Sequence, residues 1–334
     1  SGVLAQQHRR TNYVHDLTDV DSDSKPAWDQ HAAAVVACAW IQQQYEEGLI
    51  DDAWIVFAHP ERDGTWYEED PEGYNIEHFR NFHNAAPDIC LGFEGAPGHQ
   101  ASGNRGGFRL SAHGGTYGGA GYYTARVGGL WDALLGEGRR WFNFASSDHH
   151  WHASLGGGDF YPGEYQKTWS YVVDSDGDGD YSLAEIAQSL RSGNAYHVMG
   201  DLIDYLEFEA QSKSEKAPMG AELVIKEGDK LKVKIKFNSP EMNHNGNIPV
   251  VDHIDLIAGP ITGKVSPDAE GYDDPTNPFS KVIARFSAYS WDVDNDGCNT
   301  IVHQIDALDV EKVLGVDNMS AKPLGIYFRL RGTN

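Results

Sequence analysis

An apolar strand runs directly into acidic and imidazole side chains in Trp141-Phe142-Asn143-Phe144-Ala145-Ser146-Ser147-Asp148-His149-His150. Asp148 and His150 are two residues apart, a spacing that can direct both side chains at one cation. Imidazole and carboxylate together suit zinc, manganese or iron. A strand that ends in such a pair is typical of a metal site at the mouth of an α/β barrel. The alternative interpretation is a histidine-rich surface turn.

The chain before this strand repeats one order of elements, a helix followed by a buried strand. Apolar residues at helical spacing predict the helices, and short apolar runs predict the strands. The predicted elements are helix 26–47, strand 53–58, helix 76–85, strand 88–93, helix 123–135 and strand 141–145. Three such cycles indicate a parallel α/β arrangement with right-handed crossovers.

Each predicted strand is followed by a side chain that can bind a metal. His59 follows the first strand, Glu94 the second, and Asp148 and His150 the third. Because the carboxyl ends of parallel strands meet at one edge, we expect these side chains to lie together. One histidine at a strand end is commonly structural, but three successive ends with potential ligands favour a metal site.

Polar and apolar residues alternate from about residue 205 onward, as they do in antiparallel strands with one solvated face. The alternating polar residues of 230–237 are lysines, which we interpret as the solvated face of a strand rather than a nucleic-acid site. Strands are predicted over 206–209, 222–226, 230–237, 251–257, 282–286 and 325–330. Together they predict a β-sandwich of Ig-like size.

The segment between the two halves fits an EF-hand calcium loop, Asp174-Ser-Asp176-Gly-Asp178-Gly179-Asp180-Tyr-Ser182-Leu-Ala-Glu185. Such a loop has acidic side chains at positions one, three and five, glycine at six, a backbone carbonyl ligand at seven and glutamate at twelve. The predicted calcium ligands are Asp174, Asp176, Asp178, Asp180 and Glu185. A helix is predicted over 183–191, but 169–173 is strand-like, so we expect one loop, one helix and a structural calcium ion between the halves.

A second acidic run, Asp292-Val-Asp294-Asn-Asp296-Gly297, has only the front half of such a loop. Position twelve there is His303 instead of a bidentate glutamate, so a calcium site would be incomplete. An incomplete cation site and a simple acidic turn are both compatible with this pattern.

The composition limits the partners of the chain. Its 50 acidic residues against 26 basic ones give a formal charge of −24, so we expect neither a nucleic acid nor a membrane as a partner. Cys38, Cys90 and Cys298 form no CxxC pair; one disulfide can form, and one thiol would remain. We expect an extracellular or periplasmic protein. The chain starts at Ser1 without methionine and ends in strand-like sequence, so we expect both ends to belong to a longer protein.

Four motifs in the first half resemble the later motifs of the PHP (polymerase and histidinol phosphatase) family of metal-dependent phosphoesterases. They are Val14-His15-Asp-Leu, Phe57-Ala-His59-Pro-Glu-Arg62, Gly92-Phe-Glu94-Gly and Ser147-Asp148-His149-His150. The resemblance covers about residues 10–155. It implies a distorted seven-stranded β/α barrel that binds two or three zinc, manganese or iron ions. The expected fold is therefore α/β, with an incomplete or distorted PHP-type β/α barrel followed by the Ig-like β-sandwich.

The resemblance also implies roles for individual residues. It makes His15 and His59 metal ligands, matches Asp148 and His150 to the family's final Asp-x-His pair of ligands, and places Arg62 next to a phosphate oxygen. Glu94 and His99 are further catalytic candidates, and Glu94 could equally orient a metal-bound histidine. The family's first His-x-His pair and its bridging glutamate do not precede His15 here. Either those elements lie on a segment outside this chain, or the site is degenerate.

The expected function is hydrolysis of a small-molecule phosphate ester by a metal-activated water, with structural calcium beside the catalytic ions. The expected domains are a PHP-like metal-dependent hydrolase over 1–168, a connector with the calcium loop and its helix over 169–200, and the β-sandwich over 201–334. Two alternatives stay open. One is a calcium-stabilised binding module with a degenerate catalytic barrel. The other is an amidohydrolase-type metal hydrolase, which a lysine at a strand end would favour, although none is predicted there.

Overall fold

The computed structural model describes residues 26–61, 74–96, 120–147, 149, 161–226, 228–306, 309–316, 319 and 322–334, with the backbone alone for 26–30. The first half contains α1 (Pro26–Glu46), β1 (Ile55–Phe57), α2 (Ile76–Ala85), β2 (Cys90–Glu94), α3 (Tyr122–Ala125), α4 (Leu130–Gly136) and β3 (Phe142–Phe144). The predicted order of helices and strands is confirmed. The helix predicted over 123–135 is instead two short helices, because Gly128 has a φ of +74° and the chain turns at Gly128-Gly129.

The three strands of the first half form one parallel sheet. β2 lies in the centre and pairs with β1 on one side and β3 on the other. Its residue Gly92 permits the close approach of β3, because a Cβ there would lie 1.9 Å from the Phe142 carbonyl oxygen. Helices α1, α2 and α4 contribute to one core with this sheet, centred on the buried rings of Phe79, Phe93 and Trp141. None of the sheets formed by the described residues closes into a barrel, and the barrel stays a prediction.

The connector consists of β4 (Gln166–Ser170), α5 (Leu183–Ser192) and β5 (Ala195–Met199), with β4 and β5 paired antiparallel. The predicted helix over 183–191 is confirmed. It begins with a capping box, in which Ser182 and Glu185 each bind the other's backbone N–H, and it ends at Gly193 with a φ of 72°. The sequence around the calcium loop therefore fixes both ends of α5.

The second half is built from antiparallel strands. They are β6 (Tyr205–Gln211), β7 (Lys216–Pro218), β8 (Leu231–Asn238), β9 (His253–Ile261), β10 (Lys281–Ser287), β11 (Asp292–Val293), β12 (Asn299–Ile305) and β13 (Gly325–Thr333), with the short helix α6 (Val310–Leu314) before the last strand. One sheet has the order β11-β12-β8-β6-β7 and the other β10-β9-β13. Ile235 and Ile301 of the first sheet share a core with Ile254 of the second, so the two sheets pack face to face.

Two sequence predictions for this half have opposite outcomes. The lysines of β8 do face outward while Val233 and Ile235 are fully buried, as the alternation predicts. The strand predicted over 222–226 is wrong, since none of these residues lies in a strand. The neighbouring edge position beside β6 belongs to β7, and the turn at Met219-Gly220, where Gly220 has a φ of 75°, leads the chain away after Pro218.

A buried ion pair joins α4 to the sandwich. Asp132 is fully buried, and Arg329 of β13 donates to it from Nε at 2.6 Å and from Nη2 at 2.8 Å. The hydroxyl of Tyr327 donates to the same carboxylate at 2.9 Å. A bidentate arginine with a further hydroxyl satisfies the acid without water.

A second buried cluster lies beside the first. Glu137 accepts from Arg80 Nε at 2.6 Å and from Arg139 Nε at 2.8 Å. Arg80 also donates to the carbonyl oxygen of Tyr272, which belongs to the sandwich half. The two halves are thus held by charged groups that lie away from solvent.

Among the described helices, none is both long enough and apolar enough to cross a membrane.

Replacing Asp132 with alanine tests this interface. The substitution leaves Arg329 buried without its counter-charge, and removal of one partner from a buried pair costs about 3–5 kcal/mol. We expect the free energy of unfolding to fall by roughly this amount in urea denaturation. The control is Lys216→Ala, which breaks an exposed pair with Glu209 at 3.7 Å and should cost less than about 1 kcal/mol. Equal losses in the two variants would contradict the account.

Candidate functional site

The carboxylate of Glu94 lies between the ends of the two strands that flank β2. The backbone N–H of His59, just after β1, donates to Glu94 Oε2 at 3.0 Å. The hydroxyl of Ser146, just after β3, donates to Glu94 Oε1 at 3.1 Å. Glu94 is only 4% exposed. Two of the three predicted strand ends are therefore tied to the acid at the third.

The backbone at His59 is unusual. Its φ of 30° is positive, a value that residues other than glycine rarely adopt. The hydrogen bond from its N–H to Glu94 helps to hold this conformation. A positive φ changes the direction of the His59 side chain, and of the chain that follows β1, relative to a regular strand.

Glu61 is a further buried acid at this edge, and it was not among the residues predicted from the sequence. It is 2% exposed and accepts hydrogen bonds from the backbone N–H groups of Tyr122 at 2.7 Å and Tyr123 at 2.6 Å. Burial raises the pKa of Glu61 to about 8, although the two N–H groups act in the opposite direction. Gly121 is required beside it, because a Cβ there would lie 2.7 Å from Glu61 Oε1.

The remaining residues of the predicted transition-metal site lie outside the described residues. They are His15, Arg62, His99, Asp148 and His150. His149, between the two predicted ligands, is described, and its ring lies against Tyr161 with 5.2 Å between the ring centroids. At the described strand ends the backbone N–H of His59 contacts the Glu94 carboxylate, and the role of the His59 imidazole as a metal ligand stays a prediction. Their imidazole and carboxylate chemistry fits zinc, manganese or iron.

Three of the predicted calcium ligands lie together in the connector. Asp174, Asp176 and Glu185 each offer an oxygen, and these oxygens lie within 4.8 Å of one another. The Asp174 carboxylate also accepts from the N–H of Gly177 at 2.7 Å and of Gly179 at 3.0 Å. Among the described residues this is the one group of three or more acidic, histidine or cysteine side chains at metal-binding distance.

Glu185 has a second role in the capping box at the start of α5, whose N-cap residue is Ser182. Its Oε1 accepts from the Ser175 hydroxyl at 2.7 Å and the Ser175 N–H at 2.5 Å, and its Oε2 accepts from the Ser182 N–H at 2.9 Å. These donors, the Ser175 hydroxyl first, lower the pKa of Glu185 to about 2. The carboxylate is therefore ionised at neutral pH, as a calcium ligand must be.

The other two predicted ligands of this loop are exposed. Asp178 accepts from the N–H of Asp180 at 2.8 Å, and Asp180 accepts from the N–H of Tyr181 at 3.3 Å. Neither carboxylate belongs to the group formed by Asp174, Asp176 and Glu185. For Asp180 this agrees with the expected role of its backbone carbonyl at position seven of the loop.

At the second acidic run, a lysine ammonium from another strand lies against the carboxylates that could otherwise bind a cation. Lys236 of β8 lies 2.8 Å from Asp294 Oδ2 and 2.9 Å from Asp296 Oδ2. The other oxygen of Asp294 accepts from the N–H groups of Asp296 and Cys298, both at 3.0 Å. The incomplete loop thus has an internal counter-charge.

Substitution of Lys236 tests whether this ammonium excludes a metal ion. In a Glu185→Gln background, Lys236→Gln should create terbium emission sensitised by Trp291, the residue before Asp292, because two carboxylates lose their counter-ion. Lys234→Gln is the matched control, since Lys234 lies on the same strand face and 4.0 Å from Glu207 instead. If the protein that retains Lys236 gave the same terbium emission as the Lys236→Gln variant, the ammonium would not exclude a metal ion from this run.

A large cleft lies beside the parallel sheet, with a volume of about 2610 Å³. Its walls include Thr124 and Asn143 of the first half, His197 of the connector and Arg329 of the sandwich. The residues that line it do not include Glu94, His59 or the calcium loop. The size of the cleft therefore does not identify the chemical site, which is assigned here from the residues at the strand ends.

Comparison with protein-family models, with curated proteins and with solved structures gives no match for this chain. The PHP resemblance thus depends on the four sequence motifs alone.

Proposed function

We propose that this chain is a metal-dependent phosphoesterase whose catalytic ions bind at the carboxyl ends of the parallel strands. The observation that supports this most is the position of Glu94, which accepts hydrogen bonds from residues at the ends of both flanking strands. Arg62 comes three residues after His59, and Asp148 comes two residues after Ser146. The segments that contain Arg62, Asp148 and His150 therefore start from groups bound to one carboxylate.

The proposed mechanism assigns each residue a task. His15, His59, Asp148 and His150 would hold the ions, and Arg62 would bind a non-reacting phosphate oxygen. Divalent ions in such a site supply a hydroxide at neutral pH and neutralise charge on the phosphoryl oxygens. Glu94 holds the backbone of His59 at 3.0 Å and so positions the histidine, which is the orienting role that the sequence left open. His99 stays a candidate for moving a proton to or from the substrate.

We further propose that calcium has a structural role in the connector. The loop leads into α5, and Arg191 near the end of α5 donates to Asp52 Oδ1 and to the Ala53 carbonyl, each at 2.7 Å. Asp52 and Ala53 directly precede β1. An ion that orders the loop would thus stabilise the contact between α5 and the first strand of the parallel sheet.

Replacing Glu94 with glutamine tests the catalytic proposal. The substitution removes the charge that holds the strand ends, and we expect hydrolysis of p-nitrophenyl phosphate or its bis-ester to fall about 10–100-fold, as for other groups that orient metal ligands. Glu222→Gln, at an exposed loop position, is the matched control. The experiment uses protein loaded with Mn²⁺ or Zn²⁺. Full activity in the Glu94 variant, or no hydrolysis by the metal-loaded wild type, would contradict the proposal.

Replacing Glu185 with glutamine tests the calcium site. The single carbonyl oxygen of glutamine can retain the capping box of α5 but cannot also accept from Ser175, so the calcium-dependent gain within each protein is the quantity compared. Calcium at about 100 times its Kd stabilises a protein by roughly 2.7 kcal/mol, and we expect this calcium-dependent gain in the wild type and its loss in the variant. Glu215→Gln, an exposed residue before β7, should retain the gain. The measurement is thermal unfolding with calcium and with chelator.

One observation favours the calcium-stabilised binding module as a second candidate. Within the described part of the chain, the one group of three clustered ligands is the calcium loop and not the strand ends. The two candidates differ in one result: a binding module would gain stability from calcium but would hydrolyse neither phosphate ester. The amidohydrolase alternative gains no support, since Ala58-His59, Glu94-Gly95 and Ala145-Ser146, at the three described strand ends, contain no lysine.

A further inference from the structure

Two cysteines far apart in sequence lie side by side in the core of the first half. Cys38 on α1 is 5% exposed, and Cys90, the first residue of β2, is fully buried. Both belong to the hydrophobic core beneath the parallel sheet. Burial and the neighbouring Cys38 thiol both raise the pKa of the Cys90 thiol, and both cysteines are free thiols in this structure. Cys298, the third cysteine, lies in the sandwich half, on the turn between β11 and β12.

An independent contact fixes the register between helix and strand at this point. Gln42, one helical turn after Cys38, donates from Nε2 to Asp88 Oδ2 at 2.7 Å, and its Oε1 accepts from the Asp88 N–H at 3.2 Å. Asp88 is two residues before Cys90, and Gln42 is 4% exposed. Residues four apart on a helix lie on one face, so Cys38 and Gln42 belong to the same face of α1. The Gln42–Asp88 contact therefore holds the turn of α1 that contains Cys38 against the start of β2, in the core that both cysteines share.

We propose that Cys38 and Cys90 form a disulfide bond that links α1 to β2 when the protein folds in an oxidising compartment. Each thiol loses a proton and the pair loses two electrons to a small-molecule disulfide such as oxidised glutathione. The first thiolate attacks that disulfide and releases one thiol, and the second thiolate attacks the mixed disulfide and releases the other. The inference is independent of the phosphoesterase proposal.

The position of the pair determines when the bond forms. Burial raises the pKa of the Cys90 thiol, so little thiolate exists once the core is closed. We therefore expect oxidation during folding, before α1 covers β2. After folding the bond is shielded from reductants by the same core. Cys298, half-buried at a turn, remains as the single thiol.

Thiol counting after folding in oxidised glutathione tests the inference. The full chain is refolded with oxidised and reduced glutathione, unfolded in denaturant at low pH, and titrated with a thiol reagent. We expect one thiol per chain, against three in protein kept reduced. Peptide mapping without reductant should then show one linked pair that contains Cys38 and Cys90. Three free thiols in a folded chain, or a link that involves Cys298, would overturn the proposal.

The variant Cys298→Ser makes the count unambiguous, because it removes the thiol that the proposal leaves unpaired. It should give no thiol after oxidative folding and two after reduction. Oxidised Cys298→Ser should also melt about 5 °C or more above its reduced form, since a long closed loop restricts the unfolded chain. Cys38→Ser in the same background should retain its one thiol under both conditions. An oxidised Cys298→Ser protein with two free thiols would refute the bond whatever its melting temperature.

Discussion

Glu94 can accept hydrogen bonds from residues after both neighbouring strands only because β1, β2 and β3 run parallel and end at the same edge. Parallel pairing in turn requires the close approach that Gly92 permits and the helices that carry the chain back between strands. This arrangement determines the position of His59 and the start of the segment that contains Asp148 and His150. Glu61 is buried at the same edge. The chemistry proposed for the chain depends on this edge.

The rest of the molecule supports that edge from two directions. The sandwich is attached to α4 through the buried pair of Asp132 and Arg329. The connector reaches back through Arg191 to the residues before β1. Buried ion pairs cost desolvation and require good geometry, so they fix one relative position of the elements that they join. Calcium in the connector loop would order the second of these contacts.

Sequence patterns predicted the elements well where one physical signal dominated. Helical and strand periodicity predicted α2 and β8 almost to the residue, and the loop spacing predicted that Asp174 and Glu185 meet. The alternation in 222–226 predicted a strand wrongly, because alternation does not say whether a neighbouring strand is free to pair.

The residues of the candidate site also divide into those that the sequence could predict and those that it could not. The convergence of Glu94 with His59 could be predicted from strand order, because parallel strands end together. Glu61 could not be identified in this way, since its partners Tyr122 and Tyr123 follow in a later helix. Nor could the sequence place Lys236 against Asp294, because that contact joins β8 to the turn before β12, and only the register of the folded sheet brings the two together.

The most direct test of the central claim is the content of zinc, manganese and iron in the purified chain, measured by elemental analysis after equilibration with calcium. Calcium itself is expected under either proposal and does not distinguish them. The account predicts two or more transition-metal ions per chain, held at the strand ends around Glu94. One ion or none would contradict it and would favour the calcium-stabilised binding module.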